Sequence, residues 1–132
     1  MEFIINITLL IARVLLSSLY LWAGWAKVTN YKGTIDYMKS RHFPFVTIML
    51  PLAIAVQLLG SLSIIFGVYA RLGALALIGF TIAAAFSMHN FWAFQEPTRT
   101  LEKTFFMKDL AILGGLILLM LFGPGQFAIM SY

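Results

Sequence analysis

Four long apolar runs divide the chain, each closed by a cluster of turn-forming residues. The first runs from Phe3 to Ala26 and is broken only by Arg13 and a few small polar residues. The second covers about Phe45 to Phe66 and the third about Leu72 to Phe94. The fourth, Leu110 to Phe122, is long enough to cross a bilayer only if it starts near Phe105 and takes in Lys108 and Asp109. A membrane helix needs about 20 apolar residues to cross about 30 Å of hydrocarbon. The pattern therefore predicts spans over 3–27, 45–67, 71–94 and 105–123. Thr29-Asn30, Pro44, Gly67 with Arg71, Pro97-Thr98 and Gly123-Pro124-Gly125 mark the breaks. Neither an internal repeat nor a low-complexity stretch interrupts this order. Glu2 is the only early charge, so the first run lacks the basic start of a signal peptide, and it reads as a retained helix.

Composition narrows the class. Of 132 residues, 61% are hydrophobic and 11% charged, where a soluble domain carries about a quarter charged residues. The expected fold is all-α, a single integral membrane four-helix bundle. The absence of cysteine removes disulfides, thiolate metal sites and thiol redox chemistry within the chain.

Charge is distributed unevenly across the bilayer. With four crossings, the first and third connections share one side, which collects Lys27, Lys32, Lys39, Arg41, Arg99, Lys103 and Lys108. The other side has only Arg71. The positive-inside rule places connections 28–44 and 95–106 in the cytoplasm. The net charge of +4 is accounted for by basic residues facing anionic lipid, and no nucleic-acid partner is expected. Within the first connection, 33–41 reads either as a short interfacial helix, with Ile35 and Met38 on one face, or as an irregular basic loop.

Polar residues inside the spans are the informative ones, because hydrocarbon penalises them. From Arg13, helical steps reach Ser17, Tyr20, Gly24 and Lys27, a single stripe expected to face the bundle. The competing reading has Arg13 snorkelling to an interface and Tyr20 in an aromatic belt. Gln57 is placed at the depth of Arg13, which suggests an Arg13–Gln57 clasp between helices or a ligand or proton role. Pro51 is expected to kink the second span. Gly79 with Ala83 and Ala111 with Gly115 have the small-xxx-small spacing of close helix contacts.

One end of the bundle gathers the rest. Lys27 from the first span, His89, Asn90 and Trp92 from the third, and Lys108-Asp109 from the fourth lie on the same side. Lys27, His89, Trp92, Lys108 and Asp109 form the candidate ligand site, since His can relay a proton or bond a carbonyl such as a quinone oxygen. The same residues are also ordinary where helices meet headgroups. Phosphate loops, dinucleotide fingerprints and serine-nucleophile elbows are absent. With two histidines, one of them His42 beside Pro44, haem ligation is not expected, and neither is a metal site.

The ordered set Ala23-Gly24-Trp25-Ala26-Lys27, Gly33-Thr34, Tyr37-Met38 and Pro44, then His89, Trp92, Met107-Lys108-Asp109-Leu110-Ala111, Gly114-Gly115 and Gly123-Pro124-Gly125, resembles the DoxX family. Arg13 matches that family's first-span arginine, and the resemblance runs from Arg13 to about Ile129. It implies a bacterial inner-membrane protein of four helices. The family takes its name from a subunit of a quinone-reducing sulfur-oxidation system. Other members are linked to membrane oxidoreductase complexes that handle oxidative or thiol stress, and distant relatives act as membrane assembly factors. Two departures stand out: Gln57 where the family usually has Glu, which would deprive Arg13 of an ion-pair partner, and Asp109 where Asn is common.

Two readings follow. In the first, the chain is the membrane subunit or accessory factor of a quinone-linked oxidoreductase system. It binds a quinone or similar amphipathic ligand, with Lys27 and His89 on the head, Trp92 packed against it and Arg13 anchoring the inner pocket. In the second, it is a non-catalytic assembly or interaction module. A small-solute transporter is less favoured, because four short helices would have to oligomerise to enclose a path. Besides the lipid bilayer, the partners implied are redox or other membrane-complex subunits, or further copies of the chain. The isolated chain is not expected to catalyse redox chemistry, since electrons would have to come from something it binds.

Overall fold

The computed structural model describes residues 1–130. Helix α1 spans Glu2–Thr29, α2 Tyr31–Ser40, α3 Val46–Phe66, α4 Ala70–Met88 and α5 Thr98–Phe122, with a 3-10 turn at Phe91–Ala93 between α4 and α5. Four of these segments are long and apolar enough to cross a membrane. The first connection carries α2, which begins two residues before the segment marked by the sequence. The helix that carries the fourth span starts at Thr98, seven residues before Phe105, so much of the basic segment 95–106 is helical. Pro97 closes the turn before it, and Thr98, Arg99 and Thr100 already lie in the first helical turn. α3 runs unbroken past Pro51.

The helices pack in chain order, α1 on α3, α3 on α4 and α4 on α5, and a smaller α1–α5 contact closes the bundle. Lipid offers no hydrophobic drive for helix association, so close approach of backbones has to supply packing energy. Glycines carry it here. A Cβ on Gly60 of α3 would lie 2.9 Å from Leu77 Cγ of α4, and one on Gly73 would lie 2.6 Å from Ser63 Oγ and 3.1 Å from the Gly60 carbonyl. Gly115 packs on Leu16 and so joins α5 to α1. Gly79 behaves differently from the expectation: nothing lies within 4 Å of the Cβ position, and both Gly79 and Ala83 border a cavity instead of a helix.

Tyr20, Ile64, Ala74, Leu77 and Leu116 form the central buried cluster. A second cluster, Met38, Val46 and Leu50, fixes α2 against the start of α3. α1 buries Arg13, Ser17, Tyr20 and Gly24, the stripe read from the sequence. At the far end, Gly67 caps α3 with φ 67°. The segment after α5 folds back there, with Ile129 N donating to Phe66 O (3.0 Å) and Met130 N to Gly67 O (2.8 Å).

Candidate functional site

A cavity of about 670 Å³ opens between α1, α3 and α4, with Thr34, Tyr37 and Met38 of α2 at its mouth. Its wall is mostly aliphatic and aromatic, as ligand pockets commonly are. The polar groups facing it are few: Tyr20, Lys27, Gln57, Thr81, His89 and Asp109 among them. Along α4 the lining runs from Leu75 to Met88, about 20 Å at 1.5 Å per residue.

Helix geometry delivers each of these groups. Tyr20 and Lys27 stand seven residues apart, two turns along one face of α1. The Tyr20 hydroxyl meets Thr81 Oγ1 at 2.6 Å and ties α1 to α4. Gln57 is 3% exposed, and its Oε1 has no hydrogen-bond partner. A Cβ on Gly24 would lie 3.2 Å from Gln57 Cβ, so the Gln57 backbone is at the level of Gly24, three residues or about 4.5 Å of helix rise from Lys27. Among the described residues, Lys27 makes no ion pair or side-chain hydrogen bond.

Next to the cavity, a partly buried chain of charged groups centres on the buried Glu102. His89 Nδ1 donates to Glu102 Oε2 at 2.8 Å, and its Nε2 lies 3.9 Å from Asp109 Oδ2, beyond hydrogen-bond reach. Glu102 is 6% exposed and also accepts from Arg41 NH1 at 3.2 Å. Arg41 further donates to the Met88 carbonyl, to Asn90 Oδ1 (3.3 Å) and to the Tyr37 hydroxyl (2.9 Å), and its guanidinium sits 4.6 Å from the Phe94 ring centroid. One cation thus pins the end of α2 to the end of α4 and to α5. The Glu102 carboxylate holds Nδ1 of His89 as the donor and leaves Nε2 directed toward Asp109.

Glu102 and Arg41 were not singled out in the sequence. The available signal was the seven-residue step from Glu102 to Asp109, which puts both acids on one face of a helix, but it is legible only once α5 is known to begin at Thr98.

Of the candidate set, the structure brings Lys27, His89 and Asp109 to one cavity. Lys108 and Trp92 are not part of it. Lys108 follows Asp109 by one position in reverse, about 100° around the helix, so when Asp109 faces inward Lys108 turns outward, where it lies 5.7 Å from the Phe105 ring. Trp92 sits in the 3-10 turn and packs on the outer surface against Phe86, Phe91 and Phe106.

The Arg13–Gln57 clasp does not form. Side chains on a helix lean toward its N-terminus, which carries the Arg13 head away from Gln57 to the far end of the bundle. There NH1 donates to Pro124 O (2.8 Å), and NH2 to Ile65 O (3.1 Å) and Phe127 O (2.5 Å). Ile65 belongs to the last turn of α3, whose free carbonyls carry partial negative charge. Arg13 is therefore compensated by carbonyls, and Gln57 in place of a carboxylate leaves it no worse placed. Nor does Arg13 anchor the cavity.

Among the described residues no three His, Asp or Glu side chains converge as metal ligands. The unfilled groups suit an organic molecule with an apolar body and a polar head.

The DoxX family model matches residues 8–90 of the chain, and the SURF4 family model matches residues 52–132. The chain is similar to "Inner membrane protein YqjF" of Escherichia coli (strain K12), 41% identical over 124 residues that cover 94% of this chain and 90% of the relative. It is also similar to "Inner membrane protein YphA" of the same organism, 26% identical over 93% of this chain and 88% of the relative. No solved structure matches it.

Proposed function

The chain belongs to the DoxX family, and from that premise we propose that it is an inner-membrane protein that binds a quinone or similar amphipathic ligand between its helices, as the membrane subunit or accessory factor of a quinone-linked oxidoreductase system. The observation that supports this reading is the cavity itself: an apolar volume with Lys27, Gln57 and Asp109 left without full hydrogen-bond partners. A quinone head placed there accepts from Lys27, while the isoprenoid tail lies along the apolar wall of α3 and α4. His89 is held in orientation by Glu102 and faces the head through Nε2. The chain has no cysteine, so redox electrons come from the bound ligand or from a partner subunit.

The test is binding. Added short-tailed quinone is expected to raise the thermal midpoint of the purified chain, and mass spectrometry of gently extracted protein to find quinone with it. Absence of both results would end this reading.

An assembly module is the second reading. Its support is the outer groove between α1 and α3, lined by Val14, Leu21 and Leu58 and flanked by Trp22 and Trp25, which are 69% and 61% exposed. On this reading Trp22→Ala with Trp25→Ala abolishes co-purification of a partner subunit, and a variant that retains the partner unchanged would count against it.

A further inference from the structure

The polar end of the cavity carries two opposite charges that do not pair with each other. Among the described residues, Lys27 of α1 pairs with no acid, and the one ion-pair contact of Asp109 is His89, whose Nε2 lies 3.9 Å from Oδ2. Lys27, His89 and Asp109 all line the cavity, and the His89 and Asp109 side chains keep 26% and 21% of their surface open. Nδ1 of the neutral His89 ring donates to Glu102, so Nε2 is an acceptor. Two acceptors 3.9 Å apart, with no proton between them, make a seat for a group that carries several N–H donors. Lys27, on the facing helix, offers donors alone. The Tyr37 hydroxyl at the mouth accepts from Arg41 at 2.9 Å, which leaves its own proton free to donate.

Depth matches a lipid. Lys27 lies in the last turn of α1, and His89 caps the C-terminus of α4, which crosses in the same direction. The charged groups therefore stand where the helices leave the hydrocarbon, at headgroup level. From there the apolar lining runs back along α4 to Leu75, about 20 Å, against about 15 Å for one leaflet of hydrocarbon. Leu52 and Leu75, both exposed, border this part and open it sideways to the bilayer. The head that fits offers an anion to Lys27 and Tyr37 and a donor-rich cation to Asp109 and His89. A primary ammonium two carbons from a phosphate meets both demands. A trimethylammonium has no N–H, and a glycerol head has no cation.

We propose that the cavity binds a zwitterionic phospholipid of the ethanolamine class, with its phosphate on Lys27 and Tyr37, its ammonium between Asp109 and His89, and an acyl chain along α4. This goes beyond the quinone-class reading and stands independently of it. The lipid fills the cavity when a quinone-class ligand does not, and the two compete for Lys27.

The experiment is native mass spectrometry of the full chain, stripped of lipid in mild detergent and titrated with phosphatidylethanolamine, phosphatidylcholine and phosphatidylglycerol of one acyl length. Wild type is expected to bind the ethanolamine lipid about tenfold tighter than either of the others, a difference of about 1.4 kcal/mol. Asp109→Asn is expected to lose that preference while its affinity for the choline lipid is unchanged, which also reports that the variant is folded. Lys27→Gln is expected to weaken all three lipids and to keep the preference for ethanolamine over choline. Equal binding of the three lipids by wild type, tightest binding of the glycerol lipid, or no binding at all overturns the proposal. An ethanolamine preference that survives in Asp109→Asn also overturns it, because the ammonium then sits elsewhere. Phosphoethanolamine without acyl chains is expected not to bind, and binding as tight as that of the lipid would replace the lipid with a soluble ligand. A ten-carbon-tailed benzoquinone added to the loaded chain is expected to displace the lipid. Selective lipid binding with no binding or displacement by the quinone upholds this proposal and overturns the quinone-class reading.

Discussion

Arg13 offers a prediction that runs against the usual ranking of substitutions. It is 4% exposed inside the bundle, and among the described residues no acid pairs with it. Three carbonyls take its charge: Ile65 at the end of α3, and Pro124 and Phe127 in the segment after α5. Hydrogen bonds in bilayers average about 0.6 kcal/mol and reach about 1.7, so the three together stabilise by about 2–5 kcal/mol. Burying the guanidinium costs about 2.5–3.5 kcal/mol on insertion scales. Arg13→Met removes both contributions, and they offset to within about 2 kcal/mol. Arg13→Lys keeps the burial cost but loses the planar fork that reaches two carbonyls with one nitrogen. It is expected to be less stable than Arg13→Met by about 2 kcal/mol. Unfolding of the three proteins in mixed micelles measures the order directly. Hydrogen exchange adds a local readout: in both variants the amides of Ile129 and Met130, bonded to Phe66 and Gly67, exchange faster than in wild type. If Arg13→Lys matches wild type and Arg13→Met is the least stable, charge alone is what the site requires and the carbonyl fork is refuted.

Glu102→Leu leaves the partly buried Arg41 and His89 without their carboxylate and is expected to cost about 2–4 kcal/mol, most of it recovered by adding Arg41→Leu; unfolding of the single and double variants tests this, and additive losses would contradict it. Gly73→Ala drives a methyl into Ser63 and the Gly60 carbonyl and is expected to cost about 1–3 kcal/mol, whereas Gly114→Ala, with nothing within 4 Å, is neutral or stabilising in the same assay. The cysteine-free sequence allows single-cysteine mapping. With the basic connections cytoplasmic, an impermeant maleimide on intact cells labels Tyr69→Cys and spares Asp36→Cys, and the reverse pattern inverts the topology.

What the sequence made legible follows the strength of the physical constraint. The apolar runs fix the spans because backbone in hydrocarbon must be helical. The stripe from Arg13 to Gly24 faces inward because four polar or small positions at helical spacing leave no other face to bury. Lys27, His89 and Asp109 meet because two connections return to one side. The misreadings have equally specific causes. α5 extends back to Thr98 through polar residues that hydropathy alone does not recognise as a span. This hid the register that pairs Glu102 with Asp109 and the role of Arg41. Arg13 was set level with Gln57 by counting residues, which ignores the lean of side chains toward the helix start. Gly79 and Ala83 have the spacing of a helix contact, yet small residues also make room for a cavity, and the one-dimensional pattern is the same for both.

Gly79 gives access to the proposed seat of an amphipathic ligand in the cavity between α1, α3 and α4. Nothing lies within 4 Å of a Cβ at Gly79, which lines the cavity, so Gly79→Leu has open space at its Cβ and adds a side chain on the cavity wall. The exchange also removes a helix-interior glycine, which favours the helix by about 1 kcal/mol. Native mass spectrometry of wild type and Gly79→Leu, extracted identically in mild detergent, measures occupancy. One quinone-class molecule is expected per wild-type chain and none on a Gly79→Leu chain of equal or greater stability. Equal occupancy of the two proteins, or an empty wild type, would contradict it.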